Sequence, residues 1–256
     1  MRSIVIQARE RLLTAPETIC LERAELVTEA YKRYADAPLP IRRAKALDHI
    51  LGHMTLDLES NPILAGNTSS TPRAWMLLPE YGFSVPGQAL VEHPWFSGML
   101  AGDAIPDSLR DFWRDRATNT GSSIGHLTID NGRLLSKGLN DVITEAESYD
   151  DDGSEAAIYR RACAIACRAV IHWAQRYASA AERAAEATTD PIRAAALRRV
   201  ATACHHVPAN PARNLFEALQ AMILAHLAVH IEGHGYSVSP GRLDQLLWPY
   251  YHGDQD

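Results

Sequence analysis

The stretch Ile231 to Tyr251, I-E-G-H-G-Y-S-V-S-P-G-R-L-D-Q-L-L-W-P-Y-Y, decides how the rest of the chain is read. An apolar helix predicted from Pro211 to Ile231 runs into Gly233 and Gly235, after which Tyr236, Ser237, Val238 and Ser239 alternate polar and apolar side chains. That pattern predicts a helix handing over to a short extended segment. Pro240 and Gly241 then break the segment before Arg242 and Asp244, two opposite charges placed to form an ion pair. Polar, glycine-flanked side chains at the mouth of an apolar element are where α/β proteins concentrate ligand contacts.

Upstream, the sequence reads as helices. Val5 to Leu13 and Ile19 to Tyr34 carry apolar residues at three- and four-residue spacing, with a turn at Pro16 between them. Pro38 and Pro40 close the second helix. Ile41 to Leu58 is again amphipathic: Ile41, Ala44, Leu47, Ile50, Leu51 and Met54 share one face, and Arg42, Arg43, Lys45 and Asp48 lie outside it.

Residues 60–102 are rich in Gly, Pro, Asn and Ser and are too long for a plain connector. Two islands, Gly66-Asn67 with Pro72-Arg73 and Pro79-Glu80-Tyr81-Gly82, enclose Trp75, Met76, Leu77 and Leu78, which a disordered linker would not use. The segment is therefore expected to be ordered. A buried Arg73 needs a carboxylate, and Glu80 is the nearest in sequence, so Arg73–Glu80 is the expected structural pair.

Further on, Ile105 to Arg116 is a short predicted helix with Asp103 or Asp107 as its cap. Gly125-His126 and Asp130 occupy a loop before a helix predicted from Arg133 to Glu147, and Asp150 to Gly153 form an acidic turn. Ser154 and Glu155 open a long alanine-rich helix to about Thr188. Asp190 and Pro191 open another to about His205, and the two form a hairpin. The last apolar helix is predicted to have Asn210 as cap and Pro211 in its first turn.

Composition narrows the class. At 256 residues with 46% hydrophobic content the chain can build a sizeable core. The net charge of −6, from 25 basic and 31 acidic side chains, is spread along the sequence, so no nucleic-acid footprint is expected. Neither a membrane span nor a signal-peptide core is evident, and the expected location is the cytoplasm. Cys163 and Cys167 stand one helical turn apart without a second C-x-x-C pair; with Cys20 and Cys204 they read as buried, reduced thiols.

With these motifs in view, the chain resembles the N-terminal part of glycyl-radical enzymes of the pyruvate formate-lyase type. The likeness rests on R-R-A-x-A-L (Arg42 to Leu47), Gly66-Asn67, Pro72-Arg73, Pro79-Glu80-Tyr81, Gly125-His126, and the run from Glu232 through G-H-G-Y-S-V-S and G-R-L-D-Q to Pro249-Tyr250-Tyr251. The resemblance implies a mainly α structure, the helical N-terminal region of a ten-stranded α/β barrel with at most one or two strands. It divides the chain into helices over 1–59, an ordered loop-rich segment over 60–102, helices over 103–231 and the start of the barrel over 232–256.

The same resemblance implies lyase or dehydratase chemistry on a small organic substrate, on the glycerol dehydratase-like side of the family. It places His126, Tyr236 and Ser237 at the substrate pocket, with Val238 on the opposite face of its strand. Tyr236 departs from the histidine frequent at its position, which leaves any particular dehydratase unassigned. The family needs a cysteine in a Gly-Cys context and a glycine in an Arg-Val-x-Gly-aromatic loop, and neither motif occurs in these residues. No catalytic residue and no cofactor is therefore assigned here; the unpaired electron of complete members is installed by a radical S-adenosylmethionine activating enzyme. The expectation is a truncated, oxygen-sensitive family member, inactive alone or one half of a split enzyme, partnered by a complementary C-terminal half or by a second copy.

Two other classes stand beside this reading. One is a non-catalytic helical scaffold or binding module. The other is a metal-binding protein, since His226, His230 and His234 fall at four-residue steps, with Glu232 among them and Cys204-His205-His206 elsewhere in the chain. No complete ligand set is evident, so no metal is assigned.

Overall fold

In the computed structural model, which describes residues 2–59, 63–82, 105–117, 127–233 and 237–253, helices dominate. In chain order they are α1 (Arg2–Thr14), α2 (Glu22–Arg33), α3 (Leu39–His53), α4 (Asp107–Trp113), α5 (Asn131–Lys137), α6 (Leu139–Glu147), α7 (Glu155–Ala187), α8 (Pro191–His206), α9 (Leu215–Gly233) and α10 (Leu243–Gly253). A 3-10 turn spans Pro79–Tyr81. Strands β1 (Thr18–Cys20), β2 (Ala74–Met76), β3 (Leu127–Thr128) and β4 (Val238–Ser239) form two parallel pairs, β1 with β2 and β3 with β4. The class is mainly α, as expected. The strands among the described residues number four instead of one or two, because elements of two or three residues are too short to leave an alternating signature in sequence.

The longest helix, α7, organises the core. Ser154 caps it by accepting the Ala157 N–H at 3.1 Å, which satisfies one of the amides a helix start leaves open. Ala174, Ala178, Ala181 and Ala185 recur at three- and four-residue spacing and are buried, so α3 and α8 approach closely along that stripe. Trp173 and Tyr177 fill the space among Ile50 and Leu51 of α3, Leu197 and Val200 of α8, and Leu224 and Ile231 of α9. The α7–α8 hairpin closes where the Asp190 carboxylate accepts the Ile192 N–H at 2.9 Å, with Pro191 as the first helical residue.

Several boundaries differ from the sequence expectations, each for a local reason. Ile19 belongs to β1, paired with Trp75, and α2 starts only at Glu22. The third helix occupies Leu39–His53 with Pro40 inside its first turn, where a missing N–H costs nothing. The fourth is shorter than expected, with Pro106 at the cap position and no side-chain cap bond from Asp107. The helix predicted from Arg133 to Glu147 is two helices, because Gly138 sits at φ 78° with its backbone against Ala209 and Asn210. The carbonyls of Pro208 and Ala209 accept the Leu139 and Asn140 amides at 2.8 and 3.0 Å, so α6 is capped by a distant loop. Asn210 does not cap α9: the Ala212 amide goes to the Leu135 carbonyl, and Asn214 accepts the Glu217 N–H at 3.0 Å instead.

The Gly66-Asn67 island is ordered by what it packs on. Gln220 of α9, wholly buried, accepts the Ala65 N–H at 2.8 Å and donates to the Ala65 carbonyl at 2.9 Å. At Gly66, φ is 134°, a conformation that strains any residue with a Cβ, and an added Cβ would push Leu227 Cδ1 aside from 2.5 Å. Asn67 ties the turn together, accepting the Asp57 N–H at 3.1 Å and the Tyr177 hydroxyl, and donating to the Thr55 and Ser69 carbonyls. Among the described residues α9 is the one helix long and apolar enough to cross a membrane; half of that window is buried in the protein, and the buried Glu217 and Gln220 have polar partners there.

Candidate functional site

The last carbonyls of a helix have no partner within it. At the end of α9 that role falls to Arg23 of α2, whose Nε donates to the Ile231 carbonyl at 2.6 Å and whose Nη2 donates to the Glu232 carbonyl at 3.0 Å. The same guanidinium meets the Glu80 carboxylate through two bonds, of 3.0 and 2.5 Å, with both side chains almost wholly buried. Arg43 of α3 reaches the Glu232 carboxylate at 2.9 and 2.5 Å and the Tyr81 hydroxyl at 2.9 Å. These groups and Tyr31, with Val27, Leu47 and Ile50, line a partly open cavity of about 10 Å³, room for about one water. Burial, reinforced by the Glu80 charge, pushes the Tyr31 hydroxyl up to about 12. Arg43 of R-R-A-x-A-L, Glu80 and Tyr81 of P-E-Y-G, and Glu232 therefore meet in one network at the end of α9.

The expected Arg73–Glu80 pair is not formed. Arg73 lies in the left-handed region at φ 57°, donates to the Leu13 and Ala15 carbonyls, and pairs with Glu17. Its job is to hold the α1–β1 link, and the buried partner of Glu80 arrives from α2. Nearness in sequence pointed to the wrong arginine because the pairing is set by tertiary packing.

From Ser237 onward the chain is held by the β3–β4 pair. Leu127 lies opposite Val238 and Thr128 opposite Ser239, and the Leu127 amide donates to the Ser237 carbonyl at 2.9 Å. Asn131 donates from Nδ2 to the Pro240 carbonyl at 3.0 Å, and Asp130 caps α5 by accepting the Arg133 N–H at 3.0 Å. Val238 is buried, Ser237 half-buried and Ser239 exposed, the alternation expected of a strand with one covered face. Arg242 and Asp244 pair at 2.9 Å in an exposed position at the start of α10. His126 and Tyr236 lie outside the described residues. The segments that begin at Leu127 and at Ser237, more than a hundred residues apart, are joined by this short sheet.

The reactive groups elsewhere are quiet. Cys20 is buried with its sulfur 3.3 Å from the Ser70 hydroxyl, Cys204 is buried, and Cys163 and Cys167 are half-buried. Burial pushes the Cys204 thiol up to about 12, and burial with the neighbouring Cys163 pushes Cys167 up to about 11, the opposite of an activated thiolate. His226 and His230 approach to 3.2 Å, whereas His205 is bound to Glu182 and His206 to the Pro211 carbonyl. His234 lies outside the described residues, and among those described no group of three or more metal-binding side chains gathers.

Sequence reasoning missed Arg23, named Glu232 without its partner Arg43, and set Arg43 on the outer face of its helix. Arg43 is half-buried because Glu232 and Tyr81 draw it inward. The available signal was position: Arg23 falls on the same face of its helix as Val27 and Ala30, and Glu232 directly follows Ile231 at the end of an apolar helix.

Comparison with known proteins agrees with the fold. The chain is 27% identical to the isethionate sulfite-lyase of Oleidesulfovibrio alaskensis, over 92% of its own length and 34% of that protein. It is 29% identical to a probable dehydratase of Escherichia coli, over the same shares of the two chains. Its structure superposes on the glycerol-bound B12-independent glycerol dehydratase of Clostridium butyricum with a TM-score of 0.83 and 26% identity, over 100% of this chain and 37% of that one. The chain thus spans about a third of the length of the relatives it matches. The pattern of the pyruvate formate lyase-like family matches residues 2–256, and the chain belongs to that family.

Proposed function

We propose that these residues form one wall of the substrate cavity of a glycyl-radical lyase or dehydratase acting on a small hydroxylated organic compound. The observation that supports this most directly is the β3–β4 pairing, which joins the segment after His126 to Ser237 and the segment after it. In this reading Ser237, Tyr236 and His126 contact the substrate, while Arg23, Arg43, Glu80 and Glu232 hold the end of α9 that precedes them in the chain. The cysteine and glycine that carry the unpaired electron belong to sequence other than these 256 residues, in the same polypeptide or in a partner. Radical chemistry needs those reactive atoms themselves, so these residues alone shape the site without running the reaction. An activating enzyme using S-adenosylmethionine serves that other part, and the setting is an anoxic cytoplasm.

The test is reconstitution. The chain is combined, under anoxic conditions, with a family segment bearing the Gly-Cys and Arg-Val-x-Gly-aromatic motifs and the activating enzyme, and assayed on a panel of small diols, hydroxysulfonates and hydroxyprolines. Turnover that appears only in the combined system, with Ser237→Ala raising KM about tenfold or more, supports the proposal. Turnover indifferent to Ser237→Ala refutes the assignment of the wall.

A further inference from the structure

We infer that the outward face of α10, centred on Trp248 and Tyr251, is the docking surface for the family segment that carries the Gly-Cys and Arg-Val-x-Gly-aromatic motifs. The inference rests on the reading above that those motifs belong to sequence other than these 256 residues, and it names where that sequence attaches. Leu246, Leu247 and Tyr250 of α10 pack against the cluster that contains Leu134, Val207 and Met222, yet no residue of the helix is buried. At about 100° per residue, Trp248 and His252 fall opposite that packed face and Tyr251 falls beside them. Trp248 is 59% exposed and Tyr251 47%. The Trp248 ring centroid lies 6.1 Å from that of Tyr251 and 5.8 Å from that of His252, so the three rings form one patch. Clustered Trp and Tyr are what the centres of protein interfaces are enriched in, whereas a solvated helix face is lined by charged and polar groups.

The occupant follows from the sheet beside this helix. β3 and β4 form a two-stranded parallel sheet, whereas parallel sheets are ordinarily larger and covered on both faces. A strand followed directly by a helix, as β4 is by α10, is the first part of a β-α-β unit, and the part that completes it is another parallel strand in the same sheet. Helix and sheet are contiguous: a Cβ built on Gly241 would lie 3.3 Å from Thr128 Cγ2 of β3 and 3.7 Å from Leu246 Cδ1 of α10. A partner that extends the sheet therefore arrives next to α10. The glycerol dehydratase on which this fold superposes holds it as 37% of its chain, so there the same fold is packed with a remainder longer than itself. That remainder supplies the strand and covers the aromatic patch. A second copy of this chain or a lipid surface would cover the patch without completing the unit.

The chain is co-expressed with the part of the Clostridium butyricum glycerol dehydratase that it does not match, and assembly is followed by co-purification and tryptophan fluorescence, neither of which needs turnover. A one-to-one complex is expected, with emission moving to shorter wavelength on assembly and that movement reduced in Trp248→Phe. Trp248→Ala and Tyr251→Ala should each weaken association at least about tenfold, while Tyr149→Ala and Ile192→Ala, exposed elsewhere, leave it unchanged. Should the alanine variants fold poorly, the fluorescence of the unaltered chain against Trp248→Phe decides. A complex indifferent to Trp248 and Tyr251 overturns the docking face and leaves the substrate wall standing; turnover indifferent to Ser237→Ala in a complex that does need Trp248 has the opposite meaning. No complex at all overturns the docking face. So does self-association of the chain alone, or its retention on phosphatidylcholine vesicles, where either is abolished by Trp248→Ala, since the face then belongs to a second copy or to lipid.

Discussion

Arg23 and Glu80 face each other in the interior as a two-bond ion pair, and the same guanidinium closes the open carbonyls of Ile231 and Glu232. One side chain therefore neutralises a buried carboxylate and ends a helix. Removing it takes two hydrogen bonds from the buried Glu80 carboxylate and one from each of two helix carbonyls. Replacing Arg23 by Leu is expected to cost about 3–5 kcal/mol, read as a fall in the urea midpoint at constant slope. The double replacement Arg23→Leu with Glu80→Leu should cost less than Arg23→Leu alone, since it removes the buried carboxylate together with the guanidinium that it pairs with.

Gln220 anchors the Gly66-Asn67 turn to α9 through both backbone groups of Ala65. Gln220→Ala leaves a buried N–H and a buried carbonyl without those bonds, an expected loss of about 2–4 kcal/mol. Amide hydrogen exchange should accelerate at Ala65 in this variant while the α7–α8 hairpin stays protected.

Gly138 separates α5 from α6 at a positive φ, with its α-carbon packed against the Ala209–Asn210 backbone. An alanine there clashes with backbone, which cannot rotate aside as a side chain can. Gly138→Ala is expected to lower stability by at least about 2 kcal/mol, whereas Gly153→Ala, also at positive φ but with open space around it, should cost less. Thermal unfolding of the two variants side by side checks the ordering.

The fold was legible where helices are long and punctuated: Ser154 and Asp190 cap the two helices whose starts the sequence marks. It was less legible where distant chain intervenes. Nothing near Asn210 announces that the Ala212 amide belongs to Leu135, and nothing near Arg73 announces that Glu17 takes it while Arg23 takes Glu80. The motifs around Arg43, Glu80 and Glu232 could be seen as strings, but their meeting could not, because it is a tertiary event among α2, α3, the 3-10 turn and α9. Of the three pocket residues named from sequence, Ser237 sits at the β3–β4 pair, and His126 and Tyr236 fall outside the described residues.

The buried thiol of Cys204 gives a pH dependence with a definite sign. A free thiol ionises near pH 8.5, whereas burial pushes this one up to about 12. Its folded-state pKa is raised, so its contribution to stability is complete below about pH 8.5 and is lost as the pH climbs toward about 12. Unfolding free energy should therefore decline from pH 8 to pH 10.5, and Cys204→Ala should flatten part of that decline. In the same range Cys204 of the folded chain should resist alkylation by iodoacetamide, reacting promptly only in urea.

The central claim is that these residues build a wall and hold no radical carrier, since no cysteine follows a glycine and no Arg-Val-x-Gly segment occurs among them. Electron paramagnetic resonance on the purified chain, incubated without oxygen with the activating enzyme, reductant and S-adenosylmethionine, tests it most directly. The predicted result is no glycyl-radical doublet from this polypeptide alone, with the signal appearing once the complementary family segment is added. A doublet from the chain by itself would contradict the account.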